Sequence, residues 1–471
     1  MGDRVKYLMK NTSIFAIGEM GTKLINFFLV PFYTYILATQ EYGTVDLIFT
    51  LTTVIVPLVM FNIGEAIMRY AMDDDAEHDK LLSIGVTVIV FGTIFSLILI
   101  PIVSMFRLIS GYAWYMYVYV VLCASMSVVT CYLRGKEKLV TYVSCNLLNT
   151  FLIAIFNIVF LLVLHEGIHG YLMAYILAQA IAVVYAILVG KIYKDIKHYV
   201  WDFILAKKMI LFSLAVVPNS LLWWCISSSN RIMITAMCNV SENGLLAVSY
   251  KLPSLLTMVN TILMQAWKFS AIKERNSVDR DDFTNNMLNK FLRVSVLISG
   301  SMILVNKIAT KILFAEPYYM SWRPSAFLFL GFMFLGLSTF VGTIYYVEKN
   351  MVGNMLSALV GATVNVILSV LLISNIGATG ATLAACICYF VVLVYRYFDT
   401  KKYQNINVFA KQYVVLYCAL ITMAVGSAVD TLPGTIIELV GYAIIIVINY
   451  KFIVKSLKSG TKIIKTTILK R

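Results

Sequence analysis

The sequence predicts an all-α, polytopic membrane protein of about fourteen transmembrane helices, and three observations carry that prediction. Of its 471 residues 60% are hydrophobic and only 13% charged. A water-soluble chain of this length could not cover itself with so little polar surface, so lipid must be the solvent for most of it. The apolar residues fall in runs of about 20, the length that crosses a bilayer as a helix. Lys and Arg are rich in every second connection and scarce in the others, as in a chain that crosses repeatedly.

In chain order the runs are 11–38, 43–68, 81–103, 113–133, 140–164, 168–190 and 208–236, then 244–266, 287–314, 324–347, 351–374, 377–398, 411–430 and 434–455. The basic start (Arg4, Lys6, Lys10) precedes a run too long for a signal peptide, and no small-residue cleavage site follows. The first run is therefore expected to stay as a span. About thirty of the 38 basic residues sit with the N-terminus, in 134–138, Lys191–Lys208, Lys268–Lys290, Arg396–Lys411 and the tail from Lys451. The opposite connections hold Arg107 and Arg323. Both termini are expected inside. Tyr112, Trp114, Tyr115, Tyr117, Tyr318, Tyr319 and Trp322 fit an outer aromatic belt. Pro31, Pro57, Pro218 and Pro253 interrupt the first two helices and the seventh and eighth, each freeing a backbone carbonyl and permitting a kink.

The chain also repeats at an offset of roughly 200–211 residues. Glu41-Tyr42-Gly43 answers to Glu242-Asn243-Gly244, Glu137-Lys138 to Glu348-Lys349, Gly170 to Gly380, and Val184-Tyr185 to Val394-Tyr395. Six helices per copy is an even number, so the copies share one orientation, as parallel transporter repeats do. The expected domains are an N-terminal lobe over 1–207, a C-terminal lobe over 208–407, and two further helices with a basic tail over 408–471.

Charges inside the runs are the candidate functional residues. A cation at mid-membrane costs roughly 2.5–3.5 kcal/mol on insertion scales, so it faces a partner or a wet cavity. Glu19 and Lys23 lie four residues apart on one helical face, an ion pair or the wall of an anion site. Arg231 and Lys251 fall in consecutive helices and are expected to share one wall. Arg69, at a helix end, either snorkels or joins them. Asn26, Asn62, Asn219, Asn260 and Asn365 suit either hydroxyl binding or helix–helix bonding. Trp223, Trp224 and Trp267 suit sugar stacking or core packing. Glu19 is the one acidic residue clearly inside the spans, which favours an anionic substrate over a cationic one.

Other features read as structural. The eight cysteines lie in or beside apolar runs without metal spacing. His165-Glu166-Gly167-Ile168-His169 matches the zinc-protease string, but falls in a turn rather than on the continuous helix that metal binding needs. The acidic run Asp73–Asp79 lacks the spacing of a calcium loop. A net charge of +14 lies between apolar runs rather than on a water-facing domain, so nucleic acid is not the partner. The expected outer loops, about ten residues or fewer, are short for a membrane-embedded polymerase or glycosyltransferase.

The arrangement Ser228-Ser229-Asn230-Arg231, Asn243-Gly244, Ser249-Tyr250-Lys251-Leu252-Pro253, Gln265-Ala266-Trp267 and Ser270-Ala271 resembles the Wzx-type oligosaccharide flippases of bacterial polysaccharide export. These belong to the superfamily that also holds multidrug exporters and the lipid II flippase. Glu41-Tyr42-Gly43 and Arg69 fit the same resemblance. It implies two six-helix lobes forming a V around a cationic cavity, with two extra helices. It further implies an undecaprenyl-diphosphate-linked sugar as substrate, turned from the inner to the outer leaflet of the bacterial cytoplasmic membrane by alternating access. Lys23, Arg231, Lys251 and Arg69 would hold the diphosphate, and Trp223, Trp224 and Asn260 the sugar. Glu19 and Asn230 would be the coupling positions, although many relatives have Asp where this chain has Asn230. The implied partners are the lipid-linked substrate, membrane lipids and the polymerase and glycosyltransferases of the same pathway. The chain would act as a monomer without metal or cofactor. A drug/ion antiporter or a teichoic-acid exporter of the same architecture is the alternative.

Overall fold

The computed structural model describes residues 3–73, 76–106, 108–196, 199–275, 277–429 and 431–468. Asp74, Asp75, Arg107, Lys197, Lys470 and Arg471, counted above among the loop and tail charges, lie outside them. Among the described residues every regular element is a helix. By contacts the chain divides into two units, Met1–Ala247 and Val248–Arg471.

The first unit runs α1 (Asp3–Ile36), α2 (Thr39–Met60), α3 (Ile63–Tyr70), α4 (His78–Ser96), α5 (Leu99–Ser104) and α6 (Ala113–Gly135). It continues with α7 (Leu139–Asn157), which ends in a π-helical turn over Ile158–Val163, then α8 (Gly167–Val189), α9 (Ile192–Ile196), α10 (Phe203–Met237) and α11 (Val240–Ser249). In hydrocarbon, lipid tails are as apolar as leucine, so helices associate through close van der Waals contact and hydrogen bonds. α8 follows that rule. Ala174, Ala178, Ala182 and Ala186 recur every four residues and are fully buried, and the Cys145 thiol of α7 reaches the Ala182 carbonyl at 3.2 Å. A second layer packs Ile63 and Ile67 of α3 with Leu81, Leu82, Tyr132 and Leu133.

The second unit holds α12 (Lys251–Lys273), α13 (Arg280–Leu313), α14 (Trp322–Val347), α15 (Met351–Thr400), α16 (Lys411–Val429) and α17 (Leu432–Ile468). α14 is buried along nearly its whole length and packs on α12, α13, α15 and α16. The last two helices, expected outside the repeat, are fastened to α13. Arg293 donates to the Ile448 carbonyl, to Asn449 Oδ1 and to Gln412 Oε1.

α15 is two antiparallel helices. Its backbone leaves helical geometry at Ile376 and Gly377, where φ at the glycine is +53°. Arg396 bonds Ser357 and Cys388 bonds the Gly361 carbonyl across the break. A Cβ on Gly380 would lie within 2.3 Å of the Leu372 carbonyl oxygen. Partners this far apart in sequence can meet only if the chain turns back, at the connection expected at 375–376.

Eleven helices among the described residues are long and apolar enough to cross a membrane. α11 and α12 qualify together across a 42° bend, making twelve. α15 enters that count once although it is a hairpin, and α1, which carries Glu19 and Lys23, lies outside it.

The repeat has geometric content. After α6 the N–H groups of Lys136, Glu137 and Lys138 donate to Tyr132, Arg134 and Leu133. After α14 those of Glu348, Lys349 and Asn350 donate to Ile344, Tyr346 and Tyr345, the same pattern 212 residues on. The middle residue is left-handed in both turns, Glu137 at φ +57° and Lys349 at φ +55°. One residue separates this register from the one the Glu-Lys pairs suggest.

One expectation changes. Arg396 was counted with the inner connections, but α15 continues past it and buries it. Its guanidinium donates to Ser357 Oγ, the Ser338 carbonyl and Asn354 Oδ1. The string His165–His169 spans the turn into α8, with His165 at φ +55° and Gly167 at φ +52°. His169 packs against Tyr112 and Tyr115.

Candidate functional site

α10 presents one polar stripe to α2 and α3. Ser213, Ser220, Trp224 and Arg231 are spaced by seven, four and seven residues, which places them on one face at 3.6 residues per turn. Ser213 donates to the Asn62 carbonyl and Asn62 Nδ2 to Ser220 Oγ. Higher up, Trp224 Nε1 donates to Thr53 Oγ1 at 3.0 Å. The stripe ends in an ion pair: Arg231 Nε lies 2.7 Å from Asp46 Oδ2, with both side chains 17% exposed. The partners fall in reverse order along α2, so the two helices run antiparallel.

Asp46 is the residue the sequence reading missed. It lies two turns into α2, close enough to Glu41 and the helix start to read as a surface charge. Glu19 is therefore not alone as an acid inside the spans. Glu438 of α17, only 5% exposed, is a second addition.

Beyond the ion pair, the two equivalent helix starts interlock. Glu41 and Glu242 each hold the third position of their helix. Glu41 accepts from the Ala38 N–H, and the Glu242 N–H donates to Asn239 Oδ1. A Cβ on Gly43 would lie 2.1 Å from the Val240 carbonyl oxygen, and one on Gly244 2.1 Å from the Thr39 carbonyl oxygen. These contacts exchange under the repeat, since 39 and 43 correspond to 240 and 244. Asn243 Nδ2 closes the crossing on the Gly43 carbonyl at 2.8 Å. Both three-residue motifs thus have a physical account: a helix-start glutamate and a glycine for backbone contact.

Glu19 and Lys23 form the ion pair that their spacing predicts, at 3.1 Å, with side chains 42% and 37% exposed. Glu19, Thr22, Asn146, Asn149 and Thr150 line a polar cavity of about 280 Å³ beside α7. Asn149 Nδ2 donates to Gln179 Oε1 at 2.8 Å. A carboxylate with amides and hydroxyls in such a chamber can hydrogen-bond a polyol or coordinate a hard cation.

The remaining candidates separate. Arg69 pairs with Asp73 in an exposed bridge. Asn230 is buried beside Arg231. Trp223 lies next to the bonded Trp224. Lys251 begins α12 in the second unit, half-buried. There Asn260 Nδ2 donates to the Phe332 carbonyl, joining α12 to α14. Trp267, buried, stacks on Phe340 with ring centroids 4.4 Å apart, as core packing requires.

The lipid II flippase MurJ in an inward closed conformation superposes with a TM-score of 0.69 at 15% identity, over 93% of this chain and 99% of that one. A multidrug resistance MATE family transporter of the MOP superfamily, inward-facing, gives 0.58 at 12% identity over 82% and 93%. An outward-facing one gives 0.58 at 15% over 85% and 96%. At these identities the likeness is one of fold. A search of curated protein sequences finds no match. The family profile described as polysaccharide biosynthesis protein matches residues 8–269, more than half of the chain. Its stretch includes α2, α10 and the Arg231–Asp46 pair, and the chain belongs to that family.

Proposed function

We propose that the chain is a flippase for undecaprenyl-diphosphate-linked oligosaccharide units, moving them by alternating access from the inner to the outer leaflet of a bacterial cytoplasmic membrane for surface polysaccharide assembly. The observation that carries this reading is Arg231, a guanidinium held inside a span of a polysaccharide biosynthesis protein. A lipid diphosphate is anionic, and arginine binds it bidentately where water is scarce. Lys23 and Lys251 are the further cations of the substrate path, and the chain acts as two repeat lobes with two added helices. Fourteen spans with both termini inside complete the proposed topology.

The test is transport of a fluorescent undecaprenyl-diphosphate sugar in proteoliposomes. Arg231→Gln and Lys251→Gln should each lower the rate at least tenfold at equal incorporation, and Arg231→Lys should restore part of it. Native rates in both glutamine variants would sink the site. One observation favours a second reading, cation-coupled drug export: Glu19 lines a polar chamber, and the correction at Asp46 adds a further acid. Efflux of ethidium without any movement of the lipid-linked sugar would select it.

A further inference from the structure

The first unit contains an apolar cavity of about 690 Å³ between α2, the 104–112 connection and the end of α10. Leu47, Leu51, Phe106, Ile109, Ile232 and Ala236 give it hydrocarbon walls. Its other polar lining gathers at the starts of α2 and α11, from Gln40, Asn239 and Ser241. The polar wall residue Thr235 turns its hydroxyl onto the Arg231 carbonyl at 2.8 Å, so it leaves the wall largely apolar.

The dimensions suit one ligand shape. From Gln40 to Leu51 is eleven residues of helix, about 16 Å at helical rise. That is close to half of a hydrocarbon core of about 30 Å, the depth of one leaflet. The volume falls in the range of about 300–1,000 Å³ typical of sites that enclose a ligand. A dry pocket walled by leucine and phenylalanine gains nothing from water. A hydrocarbon chain matches these walls, and its head would lie at the polar rim. Amides and hydroxyls at that rim offer donors and acceptors together: the donors match phosphate oxygens and the acceptors match sugar hydroxyls, the two groups that a lipid-linked saccharide carries at the head of its chain. Asp46 and Arg231 directly precede Leu47 and Ile232 in the two walls, so the ion pair flanks the cavity.

We propose that this cavity takes an isoprenoid stretch of the lipid-linked saccharide, lying between α2 and α10 with its head group at Gln40, Asn239 and Ser241. This rests on the lipid-linked saccharide as substrate. The cavity is then a tail site at the end of the span, and it holds the carrier while the head passes.

Photolabelling tests it on the full-length chain in nanodiscs. One probe is undecaprenyl-diphosphate N-acetylglucosamine with a diazirine on its isoprenoid chain. The other is phosphatidylglycerol with a diazirine in an acyl chain. The isoprenoid probe should label segments 40–51, 106–109 and 232–241, and unlabelled carrier should compete while unlabelled phosphatidylglycerol should not. Leu51→Trp and Ala236→Trp, which fill the space, should each lower that labelling at least fivefold. The competition arm uses the native chain, so it decides even if a tryptophan variant misfolds. Isoprenoid labelling confined to other segments overturns the cavity and leaves the substrate reading standing. No isoprenoid labelling anywhere overturns both. Labelling of these segments by phosphatidylglycerol alone makes the cavity a phospholipid site and overturns the proposal.

Discussion

Arg231 shows what a charge inside a span requires. Its pairing with Asp46 lowers the insertion cost of both, and the partner lies on the helix whose face α10 already matches. Removing one member leaves the other uncompensated. A fully buried pair loses roughly 3–5 kcal/mol that way; with partial exposure on both sides about 1–3 kcal/mol is expected. Asp46→Asn and Arg231→Gln should therefore each lower the melting temperature in detergent, and the double variant should recover most of the loss. If the double variant melts no higher than either single one, the pair is not a unit. The sequence made Arg231 conspicuous because arginine is rare in hydrocarbon. Asp46 was hidden because nothing local separates a helix-start acid in water from one two turns inside. Asp195, between spans, supplies the pH-dependent case. Burial alone would raise its carboxyl, but hydrogen bonds from Lys136 and Tyr132 outweigh it and hold the carboxyl below the usual carboxylate range. A carboxyl depressed on folding stabilises fully above the ordinary value of about 4 and loses that effect as pH falls through its lower folded value. The melting difference between the native chain and Asp195→Asn should be constant from pH 7 to about 5 and shrink below about 4. A difference that instead widens on acidification would contradict the assignment.

Elements were more legible than their ends. Apolar runs mark helices because lipid demands internally bonded backbone, and the α15 turn was visible as a two-residue interruption between two runs. Helix starts could not be placed to the residue, since capping depends on partners distant in sequence. The Gly43–Gly244 crossing is the clearest example. The repeat in the sequence named both glycines, yet only the folded backbone reveals that each approaches the other's helix start. Alanine at either position sets a Cβ against a carbonyl oxygen, which no rotamer relieves. Overpacking of this kind costs about 1–3 kcal/mol. Gly43→Ala and Gly244→Ala should each melt several degrees lower on a fluorescence size-exclusion column after heating. Gly111→Ala, where an added Cβ meets open space, should match the native chain. Equal melting of all three would mean that the crossing yields without strain.

At the scale of the whole molecule, composition alone settles membrane residence, and the family and fold agree with it. The boundary between units was not legible at the residue level. The expected repeat divides the chain after residue 207, whereas contacts place α10 in the first unit, where its polar stripe pairs with α2. Orientation rests on the distribution of Lys and Arg, and the structure supplies the residues that test it. Asn243, in an expected outer connection, is fully buried in its bond to Gly43, so a thiol placed there would report packing rather than sidedness. Cys238, in the same connection, is exposed. Ser110 is exposed in an expected outer connection and Lys401 in an expected inner one. The exposed Cys418 lies inside a span and should be shielded from a charged reagent by lipid. With both termini inside, a membrane-impermeant maleimide applied to intact cells should modify Cys238 and a Ser110→Cys thiol. A Lys401→Cys thiol, in a chain with Cys238 replaced by serine, should react only after the membrane is opened. Reaction of the 401 thiol in sealed cells would invert the orientation. Reaction of both the 110 and 401 thiols there would mean an even number of crossings between them, and the parallel repeat would fall with the fourteen-span topology.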